Sequence, residues 1–314
     1  MSKCFILSFT EFRSRCLRST FTKSGLKSTT TDLQDGTLIH IWTPKTPSLT
    51  KPNLLLIHGF GTNALWQWAT LIPHLAPHFN LYVPDLVFFG GSYTTRPERS
   101  DGFQAECLMR VLRELRVGKV SLVGMSYGGF VAYSMASMAM FEEVEVERVV
   151  VCCAGVCLEE EDLRRGVFKV DDVEKAADIL VPQTAEKLRE LIGFAFLKPP
   201  RVLPDCLLND FIDEMCRDYV EERKELIREI PRNRKLAELP KITQPTLIVW
   251  GEQDQVFPLE LGYRLKRHLG ETAKLVVLKN TGHGFLVEKP KEFYKHLKSF
   301  ILANSATGGS FNHK

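Results

Sequence analysis

A serine flanked by glycines stands between an apolar segment and a helical segment of the sequence. The motif Gly124-x-Ser126-x-Gly128 follows the apolar run Val120–Val123. This spacing is typical of a nucleophile elbow, a tight strand-to-helix turn that holds the serine hydroxyl above the end of a sheet. Side chains two positions to either side would collide, and the following helix directs its positive end toward developing negative charge. Ser126 is therefore the predicted nucleophile.

A serine hydroxyl becomes a good nucleophile only when a base takes its proton, and the base needs a carboxylate that orients it. Among the eight histidines, His283 is the best candidate, because it lies between Gly282 and Gly284 in a loop after the last predicted strand. Two carboxylates, Asp254 and Glu252, follow the preceding strand, and Asp254 lies deeper in the turn. The residues alone leave the choice between these two acids open.

The segment His58-Gly59-Phe60-Gly61 directly follows another apolar run. Attack on a carbonyl creates a tetrahedral oxyanion, and backbone N–H groups must already point at it. We expect the backbone N–H groups of Phe60 and of Tyr127, the residue after the serine, to form this oxyanion hole. His58 is expected to hold the loop and not to act as a second base.

Short apolar runs that alternate with helical segments must position these residues. Such an alternation predicts an α/β fold with a mostly parallel sheet covered by helices on both faces. An Asp-Gly turn at Asp35-Gly36 separates the first two strands. The eight predicted strands are Lys27–Leu33, Thr37–Trp42, Asn53–Ile57, Asn80–Val83, Val120–Val123, Val146–Cys153, Thr246–Trp250 and Lys274–Leu278.

One long stretch without strand character interrupts this alternation between the sixth and seventh predicted strands. Residues 155–240 show the apolar spacing of helices and are predicted to form an all-helical cap. The α/β core is accordingly expected to comprise residues 26–154 and 241–303. Residues 304–314 are rich in glycine, serine and asparagine, which is typical of a disordered tail.

The N-terminal segment 1–25 is basic, and phenylalanines are scattered through it. The first 31 residues carry six lysines and arginines against Glu11 alone, which leaves a net charge of −2 for the rest of a chain whose total is +3. A secretory signal is not expected, because the apolar run Phe5–Leu7 is short and Glu11 and Arg13 follow it. Three interpretations stay open: a short helix packed on the body or lying on a membrane surface, an organelle transit peptide, or a disordered segment.

The composition excludes several classes of protein. The hydrophobic content of 44% is ordinary for a globular chain, and no stretch approaches the roughly 18 apolar residues of a membrane-spanning helix. The nearly neutral body offers no basic face for nucleic acid. Eight cysteines without a C-x-x-C pair favour reduced thiols in the cytoplasm over a disulfide frame or a zinc site. The sequence does not indicate an oligomeric state.

These motifs resemble those of the α/β-hydrolase superfamily, in the branch with a helical cap after the sixth strand. The resemblance covers roughly residues 26–302, and the chain is most similar to monoacylglycerol-lipase-like members, C–C-hydrolase-like members and plant esterases. The chain order Ser126, Asp254, His283 is the one expected of this superfamily, so the resemblance favours Asp254 as the acid. The segment Asp85–Ser92 is similar to a D-x-x-G-x-G-x-S loop of the family, but Phe88 and Phe89 are bulkier than usual there.

The resemblance implies a serine carboxylesterase or lipase that acts on a small-molecule ester and requires no metal or organic cofactor. Haloalkane dehalogenases and epoxide hydrolases of this fold use an aspartate nucleophile, so Ser126 argues against both. Relatives of the peroxidase and lyase types use serine and stay open. A C–C bond hydrolase of diketone-type substrates and a hydrolase-fold ligand receptor with little turnover also stay open. The pocket is expected to be apolar, with Phe88, Phe89, Phe211, Phe257 and Phe285 as candidate lining residues.

Overall fold

A nine-stranded sheet forms the centre of the protein in a computed structural model that describes residues 8–139, 143–200 and 202–303. Tyr93–Thr94 is a ninth strand that the sequence did not predict, because two residues are too short to show a period. The strands are β1 Leu26–Asp32, β2 Thr37–Pro44, β3 Asn53–Ile57, β4 Asn80–Pro84, β5 Tyr93–Thr94, β6 Lys119–Met125, β7 Glu145–Cys152, β8 Thr246–Gly251 and β9 Ala273–Leu278.

The strand order is β1-β2-β4-β3-β6-β7-β8-β9, with β5 paired to β2. All pairs from β4 to β9 along this path are parallel, whereas β2 pairs antiparallel with β1, β4 and β5. Central strands such as β8 are buried along their whole length, as expected when helices cover both faces of a parallel sheet. The predicted fold class, an α/β sheet that is mostly parallel and flanked by helices, is confirmed.

The helices around the sheet include several that the sequence did not predict, because each has only one turn. The eight helices outside the stretch between β7 and β8 are α1 Phe9–Lys23, α2 Ala64–Trp68, α3 Ile72–Leu75, α4 Asp101–Glu114, α5 Tyr127–Met138, α11 Leu259–Leu269, α12 Phe285–Glu288 and α13 Pro290–Ile301, counted in the described residues.

The stretch between β7 and β8 contains five α-helices and no strand among its described residues. Leu188, Leu208 and Ile212 form a small apolar cluster within it, and a second cluster around Ile227 reaches the body at Phe60. This stretch therefore packs partly on itself and partly on the loop after β3. We refer to it as the cap, and its helices are α6 Glu160–Arg164, α7 Val173–Leu180, α8 Ala185–Ala195, α9 Asp205–Met215 and α10 Val220–Glu229.

The N-terminal helix α1 lies against both the core and the cap. Leu17 and Phe21 are buried, and the ring of Phe21 packs on Trp42 with a centroid distance of 5.0 Å. The backbone N–H and hydroxyl of Thr10 both donate to Asp210 in α9. The described part of the N-terminal segment is therefore a helix packed on the body, which is the first of the three interpretations.

The outward face of α1 carries apolar side chains. Phe9 and Phe12 are 58% and 63% exposed. The membrane contact that the sequence left open for this segment stays a prediction. No helix among the described residues is long and apolar enough to span a bilayer. The predicted tail 304–314 and residues 1–7 lie outside the described residues.

Candidate active site

Ser126 occupies a strained turn between β6 and α5. Its φ and ψ angles are 54° and −122°, a combination that non-glycine residues rarely adopt and that costs on the order of 1–3 kcal/mol. Hydrogen bonds hold the turn on both sides, since Ser126 N donates to Cys152 O at 2.8 Å and Gly129 N donates to Ser126 O at 2.8 Å. The strain is therefore maintained by the sheet and the helix, as a nucleophile elbow requires.

The glycines of the elbow are needed for close approach. A Cβ atom on Gly124 would overlap the carbonyl of Gly128, and one on Gly128 would overlap the carbonyl of Ile57 at the end of β3. Gly59 is similarly restricted, because its Cβ would lie 2.9 Å from Ser126 Cβ. Gly124 is needed to close the elbow itself, whereas Gly128 and Gly59 are needed for the elbow and the loop after β3 to lie side by side.

Asp254 and His283 come together at the ends of β8 and β9. Asp254 Oδ2 lies 2.8 Å from His283 Nδ1, and its Oδ1 accepts from the N–H groups of Val256 and Phe257 at 2.8 and 2.9 Å. The two backbone donors fix the carboxylate, so His283 Nδ1 carries the proton and Nε2 is left to act as a base. The Asp254 side chain is fully buried, whereas His283 keeps a little exposure.

Glu252, the rival acid, points elsewhere. Its carboxylate accepts from Lys279 Nζ at 2.7 Å and from Asn280 N at 2.9 Å. The hydrogen bond from Lys279 lowers the pKa of Glu252 below its ordinary value. Of the two carboxylates, only Asp254 is in contact with His283.

The structure contains no hydrogen bond between Ser126 and His283 within the described residues. Ser126 follows β6 and His283 follows β9, and these two strands are separated in the sheet by β7 and β8. Contacts between nucleophile and base are often long before substrate binds, so this geometry does not contradict the predicted roles. The roles of Ser126, Asp254 and His283 stay predictions.

Cys153 lies next to Asp254 and His283, a position that no motif of the sequence indicated. Its Sγ lies within 4.8 Å of a carboxylate oxygen of Asp254 and a ring nitrogen of His283. Cysteine, aspartate and histidine are zinc ligands, but zinc takes the thiolate form of cysteine. Burial, together with the Asp254 charge, raises the pKa of Cys153 well above its ordinary value. The trio is therefore a poor metal site, and a protonated thiol fits beside the carboxylate.

The loop after β3 is held rigidly, and His58 is one of its supports. His58 Nδ1 donates to Gly59 O at 2.8 Å and Nε2 accepts from Leu86 N at 3.0 Å. Burial lowers the pKa of this fully buried histidine, which keeps it neutral as the second bond requires. Gly59 N in turn donates to Gln67. The backbone N–H groups of Phe60 and Tyr127 donate to no other group of the described residues, so both are available to an oxyanion.

An apolar cavity with about 730 Å³ of empty space, which includes its opening to solvent, lies between the cap and the turn after Asp254. Every lining side chain except Gln255 is apolar. The cavity reaches His283 through Phe257, because the centroids of the two rings lie 6.0 Å apart. It reaches the loop after β3 through Leu191, which packs beside Gly61.

Only Phe257 of the five predicted pocket phenylalanines lines this cavity. Phe88, Phe89 and Phe285 are buried, and Phe211 packs into the cap cluster. These four residues do not line this cavity, and each of their rings packs against another ring. Their role in a substrate pocket stays a prediction. The ring partners are Tyr219 for Phe88, Phe60 for Phe89, Trp66 for Phe211 and Phe293 for Phe285.

Comparison with known proteins agrees with this geometry. The sequence profile of the alpha/beta hydrolase family matches residues 54–296. The chain is 26% identical to monoacylglycerol lipase ABHD6 of Bos taurus over 83% of this chain and 78% of that protein. It is 27% identical to the 2-hydroxy-6-oxo-2,4-heptadienoate hydrolase of Pseudomonas putida, over 80% and 89% of the two chains.

A solved structure of a bacterial membrane phospholipase A is also similar. It superposes with a TM-score of 0.72 at 26% identity and covers 94% of this chain and 92% of its own. The strained serine, the acid–histidine pair and the family match over most of the chain lead to one conclusion: the chain belongs to the alpha/beta hydrolase family.

Proposed function

We propose that the protein is a serine hydrolase that cleaves carboxylic esters of small to medium apolar or aromatic acyl groups through an acyl-enzyme. The observation that carries this proposal is the Asp254–His283 pair, hydrogen-bonded at 2.8 Å beside an apolar cavity and the strained turn of Ser126. Such a set of groups is suited to acyl transfer, because it combines a nucleophile, an oriented base and room for an acyl chain.

In the first half of the reaction, Ser126 Oγ attacks the ester carbonyl and its proton passes to His283 Nε2. The charge that develops on the carbonyl oxygen is accepted by the N–H groups of Phe60 and Tyr127. One such donor is worth roughly 10²–10³ in rate. Asp254 stabilises the imidazolium, which then protonates the alcohol as it leaves.

In the second half, water enters where the alcohol departed. His283 Nε2 takes a proton from this water, and the hydroxide attacks the acyl-enzyme carbonyl. Collapse of the second tetrahedral intermediate returns the proton to Ser126 and releases the acid. Each proton that leaves an oxygen in this sequence is returned through the same histidine nitrogen.

Cleavage of a C–C bond is the second candidate, because one relative is named for a dienoate hydrolase activity. Such a substrate carries a dienolate, which polar or cationic groups must hold. The cavity offers one polar side chain, Gln255, and no lysine or arginine among its lining residues. The lining therefore favours esters with apolar acyl groups over an anionic diketone.

Labelling with a fluorophosphonate and a series of p-nitrophenyl esters of graded acyl length tests the proposal. We expect the probe to label Ser126 and Ser126→Ala to reduce hydrolysis to the background rate. Ser137→Ala, on the same helix, is the matched control and is expected to keep full activity. Folded protein that the probe fails to label would refute the serine mechanism. Faster cleavage of a dienone acid than of any ester would select the C–C reaction.

A further inference from the structure

The cap touches the loop of the predicted catalytic base directly. The chain that leaves α8, residues 195–198, lies on the loop 280–284 that carries His283. Gly284 N donates to Ala195 O at 2.7 Å, so the backbone next to the base is bonded to the backbone of the cap. We call residues 195–198 the docking segment.

The two glycines beside His283 are what allow this contact. A Cβ atom on Gly284 would overlap the ring of Phe196, and one on Gly282 would lie 2.8 Å from Ala195 O. Neither glycine has a positive φ, so close approach of the docking segment, and not an unusual backbone conformation, requires glycine at these two positions.

One carboxylate bridges the two segments. Glu288, the last residue of α12, accepts from Gly282 N with Oε2 at 2.7 Å and from Leu197 N with Oε1 at 2.9 Å. Lys198 N lies 3.4 Å from the same Oε1. All three donors are backbone N–H groups, so only a side chain with two acceptor oxygens satisfies both segments at once.

We propose that Glu288 is a positioning residue that makes the docking segment of the cap and the His283 loop one unit. This inference rests on the proposed function, in which His283 is the base. With the cap docked, Glu288 holds the loop from Gly282 while the docking segment holds it from Gly284. When the docking segment lifts, both supports of the loop are weakened together, so the base is fully positioned only under a closed cap.

The coupling has a chemical consequence for catalysis. The cavity is lined largely by cap residues, and a bound acyl chain that fills it stabilises the docked cap. The binding energy of the acyl chain is thereby used to fix His283. Esters with longer acyl groups should therefore have a higher kcat as well as a lower KM.

Glu288→Gln tests the proposal, because an amide can accept on one oxygen only and presents N–H groups to the second donor. We expect kcat for a long-chain p-nitrophenyl ester to fall about 10- to 100-fold, the effect of losing one charge-assisted hydrogen bond. KM is expected to change only a few-fold. Glu292→Gln is the matched control and should keep the wild-type kcat, since the one ion pair that the side chain of Glu292 makes among the described residues lies at the surface, with Lys289 at 3.2 Å.

Hydrogen–deuterium exchange supplies a readout that does not depend on activity. In Glu288→Gln, the amides of the docking segment and of residues 282–284 should both exchange faster, while those of β6 stay unchanged. Faster exchange in the loop alone would overturn the coupling, and so would an unchanged kcat. Wild-type protein without esterase activity would refute the proposed function, whereas the exchange result would still decide the coupling.

Leu197→Pro is a second variant that tests the proposal if Glu288→Gln fails to fold. It removes the N–H that reaches Glu288 Oε1, and Phe196, with φ −116° and ψ 139°, already has the backbone that precedes proline. The same loss of kcat and the same faster exchange are expected. Wild-type values in this folded variant would overturn the proposal.

Discussion

Replacement of Asp254 by asparagine is the most informative single change at the site. Asparagine has the same shape, and its oxygen can keep the bonds from Val256 N and Phe257 N at 2.8 and 2.9 Å. Its amide nitrogen then faces His283 Nδ1. An N–H donor at that place requires Nδ1 to be unprotonated, so the proton moves to Nε2 and the base is lost.

The expected loss in kcat is about 10⁴-fold, or about 5.5 kcal/mol in the activation barrier. Folding should change little, because the two backbone bonds remain. The assay is steady-state hydrolysis of p-nitrophenyl butyrate, with thermal unfolding followed in parallel. Glu252→Gln is the control, and it should keep most of its activity because its carboxylate does not contact His283 and the glutamine oxygen can still accept from Asn280 N.

Three results would refute this reasoning. Activity of Asp254→Asn within tenfold of the wild type would mean that the acid does not set the tautomer of His283. A loss of 10⁴-fold in Glu252→Gln would transfer the acid role to the other carboxylate. A loss in both variants with lowered thermal stability would point to damage of the turn and would equally contradict the assignment.

Three further predictions concern stability and the surface. Burial lowers the pKa of His58 below 6.5, so the unfolded chain binds a proton before the folded one and stability should fall as the pH drops below that value. Urea titrations at pH 7 and 5.5 measure this loss of stability. His58→Gln should make the loss smaller, and an equal loss in the variant would contradict the assignment of this pH dependence to His58. In α1, Phe21→Ala should lower the free energy of unfolding by about 3–5 kcal/mol, whereas exposed Phe12→Ala should change it by under about 0.5 kcal/mol. The double variant Phe9→Ser, Phe12→Ala should bind anionic vesicles more weakly than the wild-type protein. Equal binding would argue against a membrane role for this face of α1.

Local patterns carried most of the fold prediction. The alternation of apolar runs and helical segments predicted the six parallel strands, because a strand covered on both faces must be apolar along its length. The turn at Asp35-Gly36 predicted the antiparallel pair β1 and β2. The elbow around Ser126 was recognisable for a similar reason, since its glycines are needed within five residues of chain. One-turn helices such as α2 and the two-residue strand β5 were missed because they are too short to show a period.

The pocket could not be predicted in the same way. Phe88, Phe89 and Phe285 have the composition of lining residues, but each ring is buried against another aromatic ring. Sequence gives the apolar character of a side chain and not the direction in which it points. Phe257 lines the cavity because the backbone bonds to Asp254 fix the turn that carries it.

The sequence by itself determined which residue types could perform acyl transfer and the order in which they occur, because each motif is a local requirement of the backbone. It could not choose between Asp254 and Glu252, which lie two residues apart in one turn. Only the tertiary structure decided which carboxylate faces His283 and which cap residues rest on the histidine loop. Both contacts join segments that are distant in the chain, and their geometry depends on how the sheet and the cap pack together.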